Sequence, residues 1–321
     1  MANFTLPSPD RQVYIHAFLE SARPTVLHAA VRSAVQSISP ATLSTELQTY
    51  APAHGLALLQ GTNIRDELVF AAPSVLRAAP FTLGYYRLLL GVSQKQFYTA
   101  ASGLRPFMSM EESGVIRPAS DVDIPAVCRD LNTAIAVLLQ AIPPGSLGDD
   151  VNQLPLMTLG AQADGSWRNM IGAKATLQVY EALKAVIKGT GHTYVDLGTS
   201  LNVKNSSGRE VIIALAADPD VEIRERLGST DFLRAAIEIK GGRDYANIHN
   251  RAGEAEKSHR KAKARGAGQF WTIIACAKAD MKMLRAESPT TDQWFDIEQV
   301  ETGAGPDWDK LVSHVRVAMG I

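Results

Sequence analysis

The stretch from residue 210 to residue 277 constrains the fold more than any other part of the chain. Three short runs, "EVIIALAA", "DVEIRERL" and "FLRAAIEIK", follow one another closely. A charged helical segment, "AGEAEKSHRKAKARG", then precedes a fourth apolar run, "QFWTIIACA". Short runs of Val, Ile and Ala, apolar or alternating with charge and bounded by turn residues, read as strands. Before them, "RNMIGAKATLQVYEALKAVIKG" has the spacing of an amphipathic helix that Gly189 can end. Helix, three strands, helix, strand predicts a mixed sheet flanked by helices, with "PDWDKLVSHVRVAM" as a final helix.

The N-terminal part reads as helical. "RPTVLHAAVRSAVQSIS" carries apolar residues at helical spacing, and Ser39-Pro40 is a plausible cap and first helical position. "APFTLGYYRLLLGVSQKQFYTAASG" predicts a buried helix, a break near Gly91-Val92-Ser93 and a second short helix, whereas "RPFMSMEESGVIRPASDVDIP" reads as loop. "AVCRDLNTAIAVLLQAI" is another helix, and the turn-rich, acidic "PPGSLGDD" marks a boundary. The expected class is α/β (α+β), with a helical domain over 1–155, for DNA contact or dimerisation, and a catalytic domain over 156–321.

Charge is informative only locally. The formal net charge is −1, yet residues 101–160 carry three basic and seven acidic groups, and residues 240–265 carry eight basic and three acidic ones. Cys128 and Cys276 lie far apart with no metal spacing, so they read as buried free thiols in a reducing compartment. "MANFTLPSPDRQ" lacks the layout of a signal peptide, and no apolar run is long enough for a bilayer. The expected location is the cytoplasm, away from membranes. No GxGxxG, Walker loop, HExxH or GxSxG is present, so no nucleotide cofactor is expected.

The basic surplus surrounds the end of the third strand, "AAIEIKGG". Alternate side chains of a strand point to opposite faces, so Glu238 and Lys240 share a face while Ile237 and Ile239 take the core. Asp220 follows Pro219 at the start of the preceding strand. Residues 221–237 suffice for a strand, a turn at "GST" and a return strand, which brings Asp220 opposite Glu238. Two neighbouring carboxylates repel, and a divalent cation relieves the repulsion; Mg²⁺ favours carboxylate oxygens plus waters. A lysine beside it can position or deprotonate a water, or neutralise a phosphate. Acid, acid and lysine around Mg²⁺ point to phosphodiester hydrolysis. The bland alternative is a strand-edge salt bridge between Glu238 and Lys240.

Pro219-Asp220 … Glu238-Ile239-Lys240 resembles the PD-(D/E)xK nuclease superfamily. Those nucleases often add a carboxylate from the preceding helix, for which Glu181 is the candidate; it either reaches the cleft or pairs with Lys174 or Lys184. "EIKGGRDYANIHNRAGEAEKSHRKAK" together with "LGYYRLLLGVSQKQFY" resembles the type II restriction endonucleases of the XcyI family. That resemblance implies a Mg²⁺-dependent enzyme of a restriction-modification system, a homodimer acting on double-stranded DNA at the palindrome CCCGGG. A repair or junction nuclease with the same core, and a non-cleaving DNA-binding protein, are the alternatives.

DNA contacts are expected from Arg243, Asn247, His249, Asn250 and Arg251, which follow the catalytic strand, with Arg243 or Arg251 reading guanine. In the next helix Lys257, Arg260 and Lys261, with His259, are candidates for phosphate contact. That helix also places acids first and bases last, which suits a solvated helix and its dipole, with Glu256 and Arg260 as an i,i+4 pair. "LLLGVSQKQFYTAASG" has the outline of a helix-turn-helix, but its apolar content fits a core helix pair better. Gln94, Lys95 and Gln96 are its candidates for touching DNA.

Overall fold

The computed structural model describes residues 8–242, 247–277 and 279–321. They form two compact units, Met1–Trp167 and Arg168–Ile321.

In the first unit the described elements are helical. They are α1 (Asp10–Val26), α2 (His28–Gln36), α3 (Pro40–Tyr50), α4 (Ala53–Leu59), α5 (Pro73–Ala78), α6 (Leu83–Leu89), α7 (Gln94–Phe97), α8 (Met108–Ser113), α9 (Pro118–Asp121) and α10 (Ile124–Ala141), followed by the start of α11 (Leu147–Lys188). The single helix expected across 23–39 is two. Pro24 removes a hydrogen-bond donor from the last turn of α1, and Leu27 leaves helical geometry (φ −116°, ψ 171°) to bury its side chain. Ser39 caps α3 by accepting from the Thr42 amide, with Pro40 first in the helix. The segment 105–125, read as loop, contains α8, α9 and the start of α10. Met110 of α8 and Ser120 of α9 are buried, so packing rather than a long periodic pattern holds these short turns.

α6 and α7 pack as a core pair, with α6 fully buried and Phe97 of α7 in the core. Arg87 donates to both oxygens of Glu111, at 2.9 and 2.5 Å, and to the Val92 carbonyl at 2.6 Å. Gln94 and Tyr98 donate to the same carboxylate at 2.9 and 2.7 Å. Gln96 closes a capping box with Ser93. Of the three residues expected to touch DNA here, Gln94 and Gln96 are thus engaged within the unit, and Lys95 is exposed.

The second unit is built on one sheet in the order β1-β2-β3-β4-β5-β6-β7. The strands are β1 (Tyr194–Asp196), β2 (Ser200–Lys204), β3 (Glu210–Leu215), β4 (Val221–Leu227), β5 (Thr230–Lys240), β6 (Phe270–Ile274) and β7 (Gln293–Asp296). Neighbours are antiparallel from β1 to β5, and β6 and β7 continue in parallel. α12 (Ile248–Ala264) connects β5 to β6, α13 (Met281–Glu287) connects β6 to β7, and α14 (Ile297–Thr302) and α15 (Pro306–Met319) follow. This is the α/β class with a mixed sheet flanked by helices.

One sheet face carries Val211, Ile213, Val221, Ile223, Ile237, Ile239, Trp271 and Ile273, packed on Val179, Tyr180 and Leu183 of α11 and on Leu311 and Val315 of α15. On the other face, Ala236 and Phe270 meet Ala262, and Ile274 meets Ile248, Ala252 and Leu284. Alternation along β5 therefore turns Glu238 and Lys240 toward the α12 side. Among the described residues no helix is long and apolar enough to cross a membrane. Cys128 and Cys276 are buried free thiols.

Candidate active site

The site begins with a hairpin. Gly228, at φ +61°, supplies the left-handed turn between β4 and β5. Val221 pairs with Ile237, which sets Asp220 beside Glu238. The Asp220 carboxylate is pinned there, accepting from the Ile239 amide at 2.7 Å. A register shift between Ile223 and Arg224 leaves Arg234 as an extra residue on β5. Such a bulge re-aims side chains, and Arg234 donates to Glu225.

Lys240 Nζ lies 2.8 Å from Glu238 Oε1 and 3.7 Å from Glu254 of α12. Glu238 is only 4% exposed. Its Oε2 is buried with no hydrogen-bond partner among the described residues. Burial drives the Glu238 carboxyl up to about 7, Asp220 adds to the rise, and Lys240 opposes it. Asp220 is also raised, chiefly by burial, against the Ile239 amide and Lys240. Burial alone would lower Lys240, but the charge and hydrogen bond of Glu238, with Asp220, hold it above its ordinary value.

These features describe a deficit of positive charge. Two adjacent carboxylates, one buried and one half-buried, lie by a single ammonium, and one oxygen of the buried carboxylate is orphaned among the described residues. A hard divalent cation fits such a donor set. Among the described residues no three His, Cys, Asp or Glu side chains gather as ligands, so the pair would be completed by waters, as Mg²⁺ tolerates. Glu181 does not join it. Its Oε1 accepts from Lys184 Nζ at 3.0 Å, and Lys184 also reaches Asp196 at 3.3 Å. Of the two roles open to Glu181, the structure shows the ion pair.

The glycines after Lys240 mark close approach. A side chain on Gly241 would run into the Ala175 Cβ of α11, and one on Gly242 into the Arg251 guanidinium. Arg251 Nη1 donates to the Gly242 carbonyl at 2.6 Å. Part of its guanidinium is thus spent on the strand end rather than left for a guanine. Arg243 lies outside the described residues. Asn247 and Asn250 are exposed at the start of α12, and His249 is half-buried with Nδ1 unbonded among the described residues.

Part of the basic surplus of α12 is balanced by acids, one on the helix itself and two beyond it. Arg260 pairs with Glu256 at 2.7 Å, as the i,i+4 spacing predicted, and Lys261 pairs with Asp218 at 2.5 Å. Arg265 donates to the Asp218 carbonyl at 3.0 Å and to Glu222 at 2.6 Å. His259 is fully buried, bonded to Thr272 Oγ1 at 2.9 Å, and burial lowers its pKa to about 4, so it cannot meet phosphate. Lys257 remains exposed without an ion pair among the described residues. Sequence reasoning missed Glu254 and Asp218. Both were visible as acids flanking the motif, and residues 254, 258, 261 and 265 repeat at the spacing of one helix face.

The sequence profile described as XcyI restriction endonuclease matches residues 16–321. The type II restriction enzyme XcyI of Xanthomonas campestris pv. cyanopsidis is 37% identical over 262 residues, 80% of this chain and 78% of that protein. The type II restriction enzyme Cfr9I of Citrobacter freundii is 36% identical over 259 residues, 79% and 78% of the two chains.

Proposed function

Because the chain belongs to the XcyI restriction endonuclease family, we propose that it is a type II site-specific deoxyribonuclease. It hydrolyses phosphodiester bonds of double-stranded DNA at a palindrome, CCCGGG, as a cytoplasmic homodimer. The observation that carries the chemistry is the adjacent pair of half-buried Asp220 and buried Glu238, with Lys240 2.8 Å from Glu238. Mg²⁺ bound there supplies a Lewis acid for the phosphate and a polarised water. Asp220 and Glu238 hold the cation. Asp220 keeps its orientation through the Ile239 amide. Lys240, fixed by Glu238, neutralises charge developing on the phosphate and orients the attacking water; as that oxygen bonds to phosphorus its proton passes to solvent water, the opposite P–O ester bond breaks, and the leaving oxygen takes up a proton from solvent.

In this reading the helical region over 1–155 contacts DNA or the second copy, and the nuclease domain follows it. Asn247, His249, Asn250 and Lys257 are the first candidates for DNA contact, and Arg243 stays a candidate on sequence grounds. The test is incubation with plasmid and Mg²⁺, alongside Asp220→Asn and Glu238→Gln. Discrete fragments ending at CCCGGG, absent in both variants, support the reading. A smear indicates a repair or junction nuclease, and retardation without cutting a non-cleaving binder. Discrete cutting at another palindrome keeps the chemistry and overturns the target.

A further inference from the structure

The first unit holds a cleft of about 410 Å³ that the nuclease chemistry does not use. Arg23, His28, Arg32, Ser33 and Gln36 line it, and no Asp or Glu does. α2 supplies most of this wall. Its Ala30, Val31, Ala34 and Val35 are buried in the core, which leaves 28, 32 and 36 on the open side at successive turns. At 1.5 Å per residue they span about 12 Å.

The charges in the cleft differ in one respect. Arg23 is neutralised by Glu20 at 2.7 Å. Arg32 has no ion pair or side-chain hydrogen bond among the described residues. It stands beside His28, which is half-buried against the Tyr85 ring, with centroids 6.3 Å apart. Burial and the Arg32 charge both lower the His28 pKa. A guanidinium without a counter-charge among the described residues, in a cleft whose other polar groups are the paired Arg23 guanidinium, an imidazole, two hydroxyls and two amides, is short of an anion. Guanidinium, hydroxyl and amide are the side chains that grip phosphate oxygens. Leu27, Pro155 and Leu156 add an apolar wall against which a sugar can lie.

We propose that this cleft is a phosphate-binding site in which Arg32 carries the anion and His28, Ser33 and Gln36 flank it. A phosphate ester can come from the backbone of a DNA duplex or from a free nucleotide. The half-open shape and the 12 Å row of polar side chains favour a backbone, and that choice rests on the reading of DNA as substrate.

The test uses the full chain and a labelled duplex, with binding followed by fluorescence anisotropy from low to high salt. Arg32→Glu is compared with Arg117→Glu, an exposed position outside the cleft that makes the same change in net charge. Arg32→Glu should weaken binding about tenfold at low salt, on duplexes with and without CCCGGG alike, and lower the log–log salt slope by about one. Arg117→Glu should shift neither by more than its net charge demands. Equilibrium dialysis with dTMP is the second arm. Binding by the wild type that Arg32→Glu abolishes, with the duplex slope intact, keeps the phosphate site and assigns it to free nucleotide. If Arg32→Glu matches Arg117→Glu on DNA and dTMP does not bind, the proposal is overturned. If the wild type binds no duplex at all, the proposed function fails, and the dTMP arm judges the cleft by itself.

Discussion

Glu238 is kept in a place where it is costly. Its carboxyl is buried beside Asp220, one oxygen has no partner among the described residues, and its pKa is pushed up to about 7. A residue held so is a stability liability that function retains. Glu238→Gln should therefore melt no lower than the wild type in metal-free buffer, yet lose cleavage by at least roughly a hundredfold. Added Mg²⁺ should raise the melting temperature of the wild type and not of the variant, because only a ligand of the folded state stabilises it. Thermal melts with and without Mg²⁺ decide this, and an equal rise in both proteins would remove Glu238 from the metal. For Lys240, alanine should cost turnover far more than DNA affinity. Arginine should not restore turnover, because the larger, always-charged fork does not fit the 2.8 Å contact with Glu238.

At the scale of elements, α12 illustrates why counting charges along a sequence misleads. Its surplus of bases read as a DNA surface, but Lys261 and Arg265 face Asp218 and Glu222, acids from the far side of the hairpin. We expect Lys257→Ala to flatten the salt dependence of DNA binding by about one phosphate contact, and Lys261→Ala to leave that slope alone while weakening cleavage. A flattened slope with Lys261→Ala would restore the phosphate role. The same helix sets an acid limit. His259 is buried and its pKa is lowered to about 4, first by burial. Its neutral form is the folded one, so its contribution is intact above the unfolded value near 6.5 and is lost as pH falls from there to about 4. The loss amounts to about 3 kcal/mol. Urea titrations at pH 7 and pH 4.5 should show that drop in the wild type relative to His259→Gln; identical pH dependence in the two would disprove it. In the helical unit, cutting the buried Arg87–Glu111 pair with Arg87→Ala should cost about 3–5 kcal/mol, since it strands Glu111.

What the sequence made legible follows the same physics. β3 to β6 were readable because their runs are apolar or alternate with charge and are bounded by turn residues, and the placement of Asp220, Glu238 and Lys240 at one strand end followed from alternation plus one hairpin. β1 and β7, of three and four residues, leave no periodicity to read. The 42-residue α11 contains Pro155 and several glycines, so local propensity suggested a border where the backbone stays helical. Asp218 and Glu222 were visible as acids near the motif, but their pairing with α12 was not, because it is set by how the helix packs on the sheet rather than by spacing along the chain.

For the whole molecule, a palindromic target implies two active sites related by a twofold axis. Under the proposed homodimer, single-turnover cleavage should rise with the square of enzyme concentration at high dilution and become linear once pairing is complete. Linear behaviour throughout, with a monomer in sedimentation, would argue against it. β5 carries a different consequence. It pairs antiparallel with β4 through a tight hairpin, but parallel with β6 only after α12 has crossed over. The hairpin closes locally and early, whereas the parallel pairing closes a long loop and comes late. As the chain leaves the ribosome, Lys240 is therefore made well before β6 can pair with its strand. A nascent molecule arrested between them presents an open strand edge and an unfinished candidate site. A DNA-cutting activity assembled in this order stays silent until its last strands are in place, so synthesis itself delays the onset of cutting.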